Sequence, residues 1–284
     1  MIEHYSIRNE YLEVGIKRLG AELCSVKDKS GKEFIWQAGD VWQRHAPNLF
    51  PIVGSLLDHM YIYNGKEYDL KHHGFARDMN FDMLHQSEHS ICFVLQESEE
   101  TLKSYPFSFT FLVTYTLERN KLIQKYRVIN RSDVDMPASV GGHPAFNALP
   151  IDEYYLEFEK EESVSSNQLE GPYINESTVD IIQGKTINLS KNIFDNDALI
   201  FQGLKSSYVI LRHRNSSQSI KVDFADFRYL GIWAKPGAPY VCIEPWQGLA
   251  DYIYHDKVIE SKKGIVILTP GEEMIRSFSM EFTS

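Results

Sequence analysis

The chain has 284 residues, 43% of them hydrophobic and 24% charged, with a formal net charge of −10 at pH 7. That composition belongs to a globular protein, and the acidic balance excludes nucleic acid or an anionic membrane surface as the main partner. The length fits one large β domain or two ordinary ones. No linker or low-complexity tract divides the chain, so a single domain over 1–284 is expected.

The three cysteines, Cys24, Cys92 and Cys242, show neither a disulfide framework nor a metal-type CxxC spacing, and a reducing cytoplasm is expected. The first residues carry no basic segment followed by an apolar one, and no apolar run approaches the roughly 20 residues of a membrane span.

Taken in chain order, short strands are expected at 11–16, 22–27 and 33–37. The stretch from Asn48 to Leu57 is punctuated by Pro51 and Gly54, which argues against a helix there. A strand at 91–96 precedes a segment, 97–104, that holds at most a short turn. The clearest signal follows. Phe107, Phe109, Phe111, Val113, Tyr115 and Leu117 share one parity, and Ser108, Thr110, Thr114 and Thr116 share the other. A period of two with one apolar face is a half-buried strand. The polar turn 118–121 then returns the chain through 122–130 as a hairpin.

Further strands are expected at 154–159, 208–212, 219–224 and 239–244, and at 264–268 before the turn Thr269-Pro270-Gly271. Alternation resumes at Met274, Arg276, Phe278, Met280 and Phe282. There is no GxGxxG, GxxxxGK[ST] or GxSxG, and strands do not alternate with long helices, so nucleotide-binding α/β folds are excluded. The expected fold is all-β, one large antiparallel β-sandwich.

Three segments far apart carry ionisable side chains in rigid settings. His143 lies in Gly141-Gly142-His143-Pro144, where the glycines would let the backbone approach a ligand. A histidine is suited to proton transfer near neutral pH; the alternative is a turn histidine held by backbone carbonyls. Glu244 ends the apolar run Tyr240-Val241-Cys242-Ile243 and precedes Pro245-Trp246. A carboxylate there would be desolvated and its pKa raised toward that of a useful base; the alternative is a structural pair with an arginine. Trp246 would offer an apolar face for a pyranose ring. His73, beside His72 and before Gly74, sits at a tight bend that would project it into a cleft while His72 faces the other way. Arg44 is a candidate fork for hydroxyl or carboxylate recognition. His72, His73, His143 and Glu244 could in principle form a His/Glu metal set, but no HxH or HExxH spacing supports one, and neither metal nor cofactor is expected.

These segments together resemble the aldose 1-epimerase (galactose mutarotase) family, in its bacterial LacX-like branch. The resemblance runs in family order through 42–54, HGFAR at 73–77, YPFSF at 105–109, MPASVGGHPAFN at 136–147, FDNDALIF at 194–201, the stretch 229–251 and LTPGEE at 268–273. It implies a galactose mutarotase-like supersandwich and interconversion of the α and β anomers of an aldose by ring opening and closure. It implies Glu244 as general base, His143 as general acid, and His73 and Arg44 as substrate-binding residues. One departure concerns the family's FDHxF-like aspartate. Here the segment reads Phe194-Asp195-Asn196-Asp197-Ala198, where Asp197 is the first choice and Asp195 the other.

The expected ligand is a free hexose. The rivals are a hexose 6-phosphate, for which Arg44, Lys71, Arg77 and Lys235 are the motif-adjacent cations, and a non-catalytic carbohydrate-binding protein on the same fold. Nothing in the sequence identifies an oligomer.

Overall fold

The computed structural model of the chain describes residues 3–284. The alternation read at 107–117 becomes the strand Phe109–Glu118, in which Phe109, Phe111, Val113, Tyr115 and Leu117 all point into the core. Burying each such side chain contributes about 1.5–3 kcal/mol, which fixes the strand's register against its neighbours. Its hairpin partner is Lys121–Asn130, with Lys121 opposite Glu118 across the turn.

Both strands belong to a nine-stranded sheet. Its order is Thr186–Asn188, Tyr154–Phe158, Tyr208–His213, Ser219–Asp223, Glu273–Thr283, Lys121–Asn130, Phe109–Glu118, Ser90–Gln96 and Asp82–Gln86. An eight-stranded sheet contains Tyr173–Val179, Ser166–Glu170, Leu199–Gln202, Tyr229–Trp233, Tyr240–Trp246, Gly141–Gly142 and Asn48–Leu49, with Ala145–Asn147 also paired to Tyr240–Trp246. A three-stranded sheet (His4–Arg8, Leu12–Lys17, Leu23–Asp28) completes the larger elements. Every strand ladder among the described residues is antiparallel apart from isolated bridges. One apolar cluster joins Phe111, Val113 and Tyr126 of the large sheet to Leu230, Val241 and Ile243 of the other, so the core lies between the two sheets. The fold is the all-β antiparallel sandwich expected.

The α-helix described is Glu99–Ser104, capped by Ser98 and Thr101 in a reciprocal capping box. It agrees with the short turn read there. The strand expected at 33–37 does not form. The Glu33 carboxylate accepts from the N–H groups of Val26 and Ile35, and the segment is left with isolated bridges at Glu33 and Ile35. Among the described residues no helix is long and apolar enough to cross a membrane.

Candidate active site

The eight-stranded sheet positions the site. Tyr240–Trp246 is buried along its entire length, because its two faces are covered by different things. Val241 and Ile243 enter the core between the sheets. Cys242, Glu244 and Trp246 share the opposite parity and face outward, where Glu244 and Trp246 line a cavity of about 460 Å³. In the neighbouring strand Trp233 lies opposite Cys242 and Gly231 opposite Glu244. A Cβ on Gly231 would meet the Trp246 indole at 2.6 Å, so only glycine leaves room for that ring.

His143 is set between two short strands that both pair with Tyr240–Trp246. The glycines before it do not open toward a ligand, contrary to the sequence reading. A Cβ on Gly141 would strike Trp246 at 2.8 Å, and one on Gly142 would strike the Phe278 ring at 2.7 Å. They serve packing behind the site. The His143 ring is fixed by aromatics instead. Trp42 stacks on it at 5.1 Å between centroids, and Trp233 meets it edge-on at 5.8 Å.

His73 holds a left-handed backbone (φ 64°), and Gly74 follows with φ 73°. A Cβ on Gly74 would lie 2.2 Å from the Phe50 carbonyl oxygen, so this bend needs glycine. His73 is also tied to Gly54 twice. Its N–H donates to the Gly54 carbonyl at 2.9 Å, and its Nδ1 accepts from the Gly54 N–H at 3.0 Å. Acceptance at Nδ1 places the ring proton on Nε2, and burial holds the ring neutral by pushing its pKa well below the usual value. His73 is therefore a fixed neutral donor in the cavity wall.

At the centre, His143 Nε2 lies 3.1 Å from Glu244 Oε2, with side chains 10% and 1% exposed. The two atoms are in contact yet poorly aligned, and Glu244 Oε2 has no hydrogen-bond donor in proper geometry. His143 Nδ1 and Trp246 Nε1 are likewise buried and unpartnered. Burial raises the Glu244 carboxyl well above its usual value, with the Asp197 charge adding to the effect and the nearby but misaligned Trp246 N–H opposing it. Burial lowers His143 to about 3, reinforced by the positive charge of Arg77. Both shifts disfavour charge, so the ligand-free pair is a neutral imidazole beside a carboxylic acid, holding one proton between them.

Of the six residues chosen from sequence, His73, His143, Asp197, Glu244 and Trp246 line this cavity together. Trp246 presents an edge rather than a stacking face, since its ring lies against Gly231 and Gly141 and it is 6% exposed. Asp197 reaches the cavity from a turn in which it takes φ 75°. Asp195 does not line this cavity. Arg44 is not in its lining either. It pairs with Asp78 at 2.9 Å, from where its charge helps to lower both His73 and His143. Arg77 takes the place in the wall.

Trp42, Trp233, Ser55 and His59 also line the cavity and were missed. Isolated tryptophans carry no local signal, although Trp42 falls in the segment 42–54. His72 was expected to face away; the residue is exposed overall, but its ring contributes to the wall, with Nδ1 2.7 Å from Ser55 Oγ.

Among the described residues the set geometrically able to take a metal ion is His143, Cys242 and Glu244, whose ligand atoms lie within 4.8 Å of one another. Of the four residues weighed from sequence, two fall in it. Burial pushes the Cys242 thiol far up, so it is a neutral neighbour of the pair.

A family model described as aldose 1-epimerase matches residues 3–280. The plasmid-borne protein LacX of Lactococcus lactis subsp. lactis is 33% identical over 96% of this chain and 97% of its own length. A galactose mutarotase related enzyme from Lactobacillus acidophilus superposes with a TM-score of 0.95 at 38% identity, covering 99% of this chain and 98% of that one. A galactose mutarotase-like protein from Lactobacillus casei ATCC 334 gives 0.94 at 32% identity, covering 99% and 100%. With a model that spans nearly the whole chain and relatives matched end to end, this protein belongs to the aldose 1-epimerase family.

Proposed function

We propose that the chain is an aldose 1-epimerase that interconverts the α and β anomers of a hexose, with Glu244 and His143 as its acid–base pair. The observation that carries this reading is the 3.1 Å contact between two buried groups whose pKa values are pushed in opposite directions. Ring opening starts from the tautomer in which the single proton is on His143. Glu244 carboxylate takes the proton from the anomeric hydroxyl, C1–O1 becomes a carbonyl, the C1–O5 bond breaks, and O5 takes the proton from the imidazolium. What remains is the open-chain aldehyde with neutral His143 and protonated Glu244. After rotation about C1–C2, Glu244 returns a proton to O1 as His143 accepts one from O5.

The neutral pair favoured by burial is thus the protonation state of the aldehyde complex. Two opposite charges vanish as the ring opens in a desolvated cavity, so burial favours the aldehyde complex over the charged tautomer from which opening starts. Forming that tautomer from the neutral resting pair is part of the barrier. Each positioned acid or base contributes about 10²–10⁴-fold. No electron transfer and no departing group are involved, so no step calls for a cofactor. His73 Nε2 and Asp197 would donate to and accept from sugar hydroxyls, and Trp42 and Trp233 supply apolar faces. Polarimetry or NMR exchange on α-glucose, α-galactose and their 6-phosphates tests the reading. Faster exchange than in buffer for at least one sugar is expected; none for any of them removes it.

One observation favours the phosphorylated sugar as a second reading. Arg77 lines the cavity with a buried Nε that has no partner, while its Nη2 donates to the His72 carbonyl at 2.7 Å. Burial and the nearby Arg44 charge lower its pKa to about 10, opposed by the Asp78 carboxylate 4.0 Å from Nε. An incoming anion would meet a buried guanidinium whose Nε makes no hydrogen bond. Preference for the 6-phosphates in the same assay would decide for this reading.

A further inference from the structure

Trp42 belongs to no strand or helix, yet its indole is fixed from several directions. Its carbonyl accepts from the Trp36 indole N–H at 2.8 Å, and its N–H donates to the Gly39 carbonyl at 3.0 Å. Just beyond it, the buried Glu22 carboxylate accepts from the N–H groups of His45 and Ala46 at 2.7 and 3.0 Å. The His45 carbonyl in turn accepts from the Ala145 N–H at 3.0 Å, which ties the segment to the short strand that follows His143. The indole lies nearly parallel to His143 (5.1 Å between centroids, 26°) and to Tyr240 (5.6 Å, 26°), and Tyr240 lies against Trp36 at 5.0 Å. Tyr240 is on the strand that carries Glu244, so Trp42 is registered against both members of the acid–base pair.

Filling space beside His143 would need only an apolar side chain; the chemistry asks for more. Ring opening starts from imidazolium and carboxylate, and the resting pair is neutral. Burial opposes a cation on His143, and the charges of Arg77 and Arg44 add to that opposition. At Nε2 the Glu244 carboxylate answers the charge from 3.1 Å. Nδ1 has only its own backbone group nearby and no properly formed hydrogen bond. The ring face is the remaining surface, and Trp42 lies on it. An aromatic face attracts a cation within about 6 Å of its centroid; indole does so best among the side chains, and more strongly where water is excluded. A neutral imidazole gains only the weaker stacking contact.

Building on the acid–base reading of the cavity, we propose that Trp42 is a positioning residue for His143 that stabilises the imidazolium tautomer over the neutral pair and so lowers the barrier to ring opening. Trp36, Glu22 and Tyr240 act through it by holding the indole parallel to the imidazole.

The test measures kcat and KM for anomer exchange by NMR, on whichever of α-glucose, α-galactose and their 6-phosphates the wild type exchanges fastest. Rates are taken per folded molecule. Trp42→Leu should lower kcat about 5- to 30-fold, the loss of a cation–π contact in a desolvated site. Trp42→Phe keeps a weaker face and should recover part of that loss. KM should change less than kcat in both, because the contact is gained on the way to the transition state. Trp36→Phe removes the hydrogen bond to the Trp42 carbonyl from outside the cavity lining, and so reads the same role if the Trp42 variants do not fold. Its kcat should fall about 2- to 5-fold at unchanged KM. A Trp42→Leu kcat equal to that of the wild type, equal losses in the Leu and Phe variants, or a rise in KM alone, as from a lost sugar contact, would overturn the role of Trp42 and leave the acid–base reading standing. No exchange of any sugar by the wild type would remove both.

Discussion

Lys262 and Asp251 form one buried ionisable pair beside the cavity, and His143 and Glu244 form another. In the first, Lys262 Nζ lies 2.7 Å from Asp251 Oδ1 with both side chains fully buried, and Asp251 Oδ2 also accepts from the Leu57 N–H at 2.9 Å. Each charged group there has its partner, and the pair ties the 57–59 turn, which brings His59 to the cavity, to the strand region behind it. In the second, contact is made without alignment and polar atoms remain unpartnered on both side chains. Burial of ionisable groups is common to both; side-chain atoms left with no hydrogen-bond partner at all are found only in the second. The first pair is finished by folding, and the second awaits a ligand.

Four experiments break or sharpen that comparison. The largest effect is expected at the unfinished pair. Glu244→Gln and His143→Asn should each slow anomer exchange by about 10²–10⁴-fold, and the double variant should lose little beyond either one, because the two act as a unit. Fully additive losses would mean that they act separately. Next, Asp251→Ala leaves a buried lysine without its partner and should cost about 3–5 kcal/mol in denaturant unfolding. Exchange per folded molecule should fall far less than for the catalytic variants, and a stability change near zero would deny the pair its structural role.

The third effect has the opposite sign. Because the folded value of Glu244 is raised, the folded protein holds a proton that the unfolded chain has already lost. Stability therefore falls as pH rises from the ordinary carboxylate range through Glu244's own folded value. Glu244→Gln removes that loss and should raise the melting temperature by about 2–4 °C, with the gap widening toward alkaline pH. A variant less stable than the wild type at alkaline pH would contradict the desolvation argument. The smallest change is expected for Trp246→Phe, which keeps the ring on Gly231 and Gly141 and removes an unpartnered N–H. The relief of that N–H opposes the lost volume, so stability should stay within about 1 kcal/mol.

The large sheet was readable because its strands alternate over ten residues with water or a polar layer on one side, as Phe109–Glu118 does. The site sheet was harder to read. Gly141–Gly142 and Asn48–Leu49 are too short to carry a period, and Tyr240–Trp246 is covered on both faces, so its outward-facing Cys242, Glu244 and Trp246 look like core. The segment 33–37 has strand composition, but the Glu33 carboxylate takes N–H groups that a ladder would need. Within the site, His73, His143 and Glu244 were visible because each is marked by glycine, proline or a break in an apolar run. Arg44 and Arg77 could not be ranked by spacing, since which one reaches the wall depends on the Asp78 that holds Arg44 aside. The purpose of Gly141 and Gly142 was also hidden, because the rings that need the space, Trp246 and Phe278, come from distant strands.

The central claim, that His143 and Glu244 hold one proton between two neutral groups in the ligand-free protein, is tested most directly by a ¹⁵N NMR titration of the His143 ring. The expected result is an imidazole that stays neutral through the ordinary histidine value of about 6.5 and gains a second proton only toward about 3. An imidazole that titrates at or above the ordinary value, as an ion pair with an ionised Glu244 would require, contradicts it.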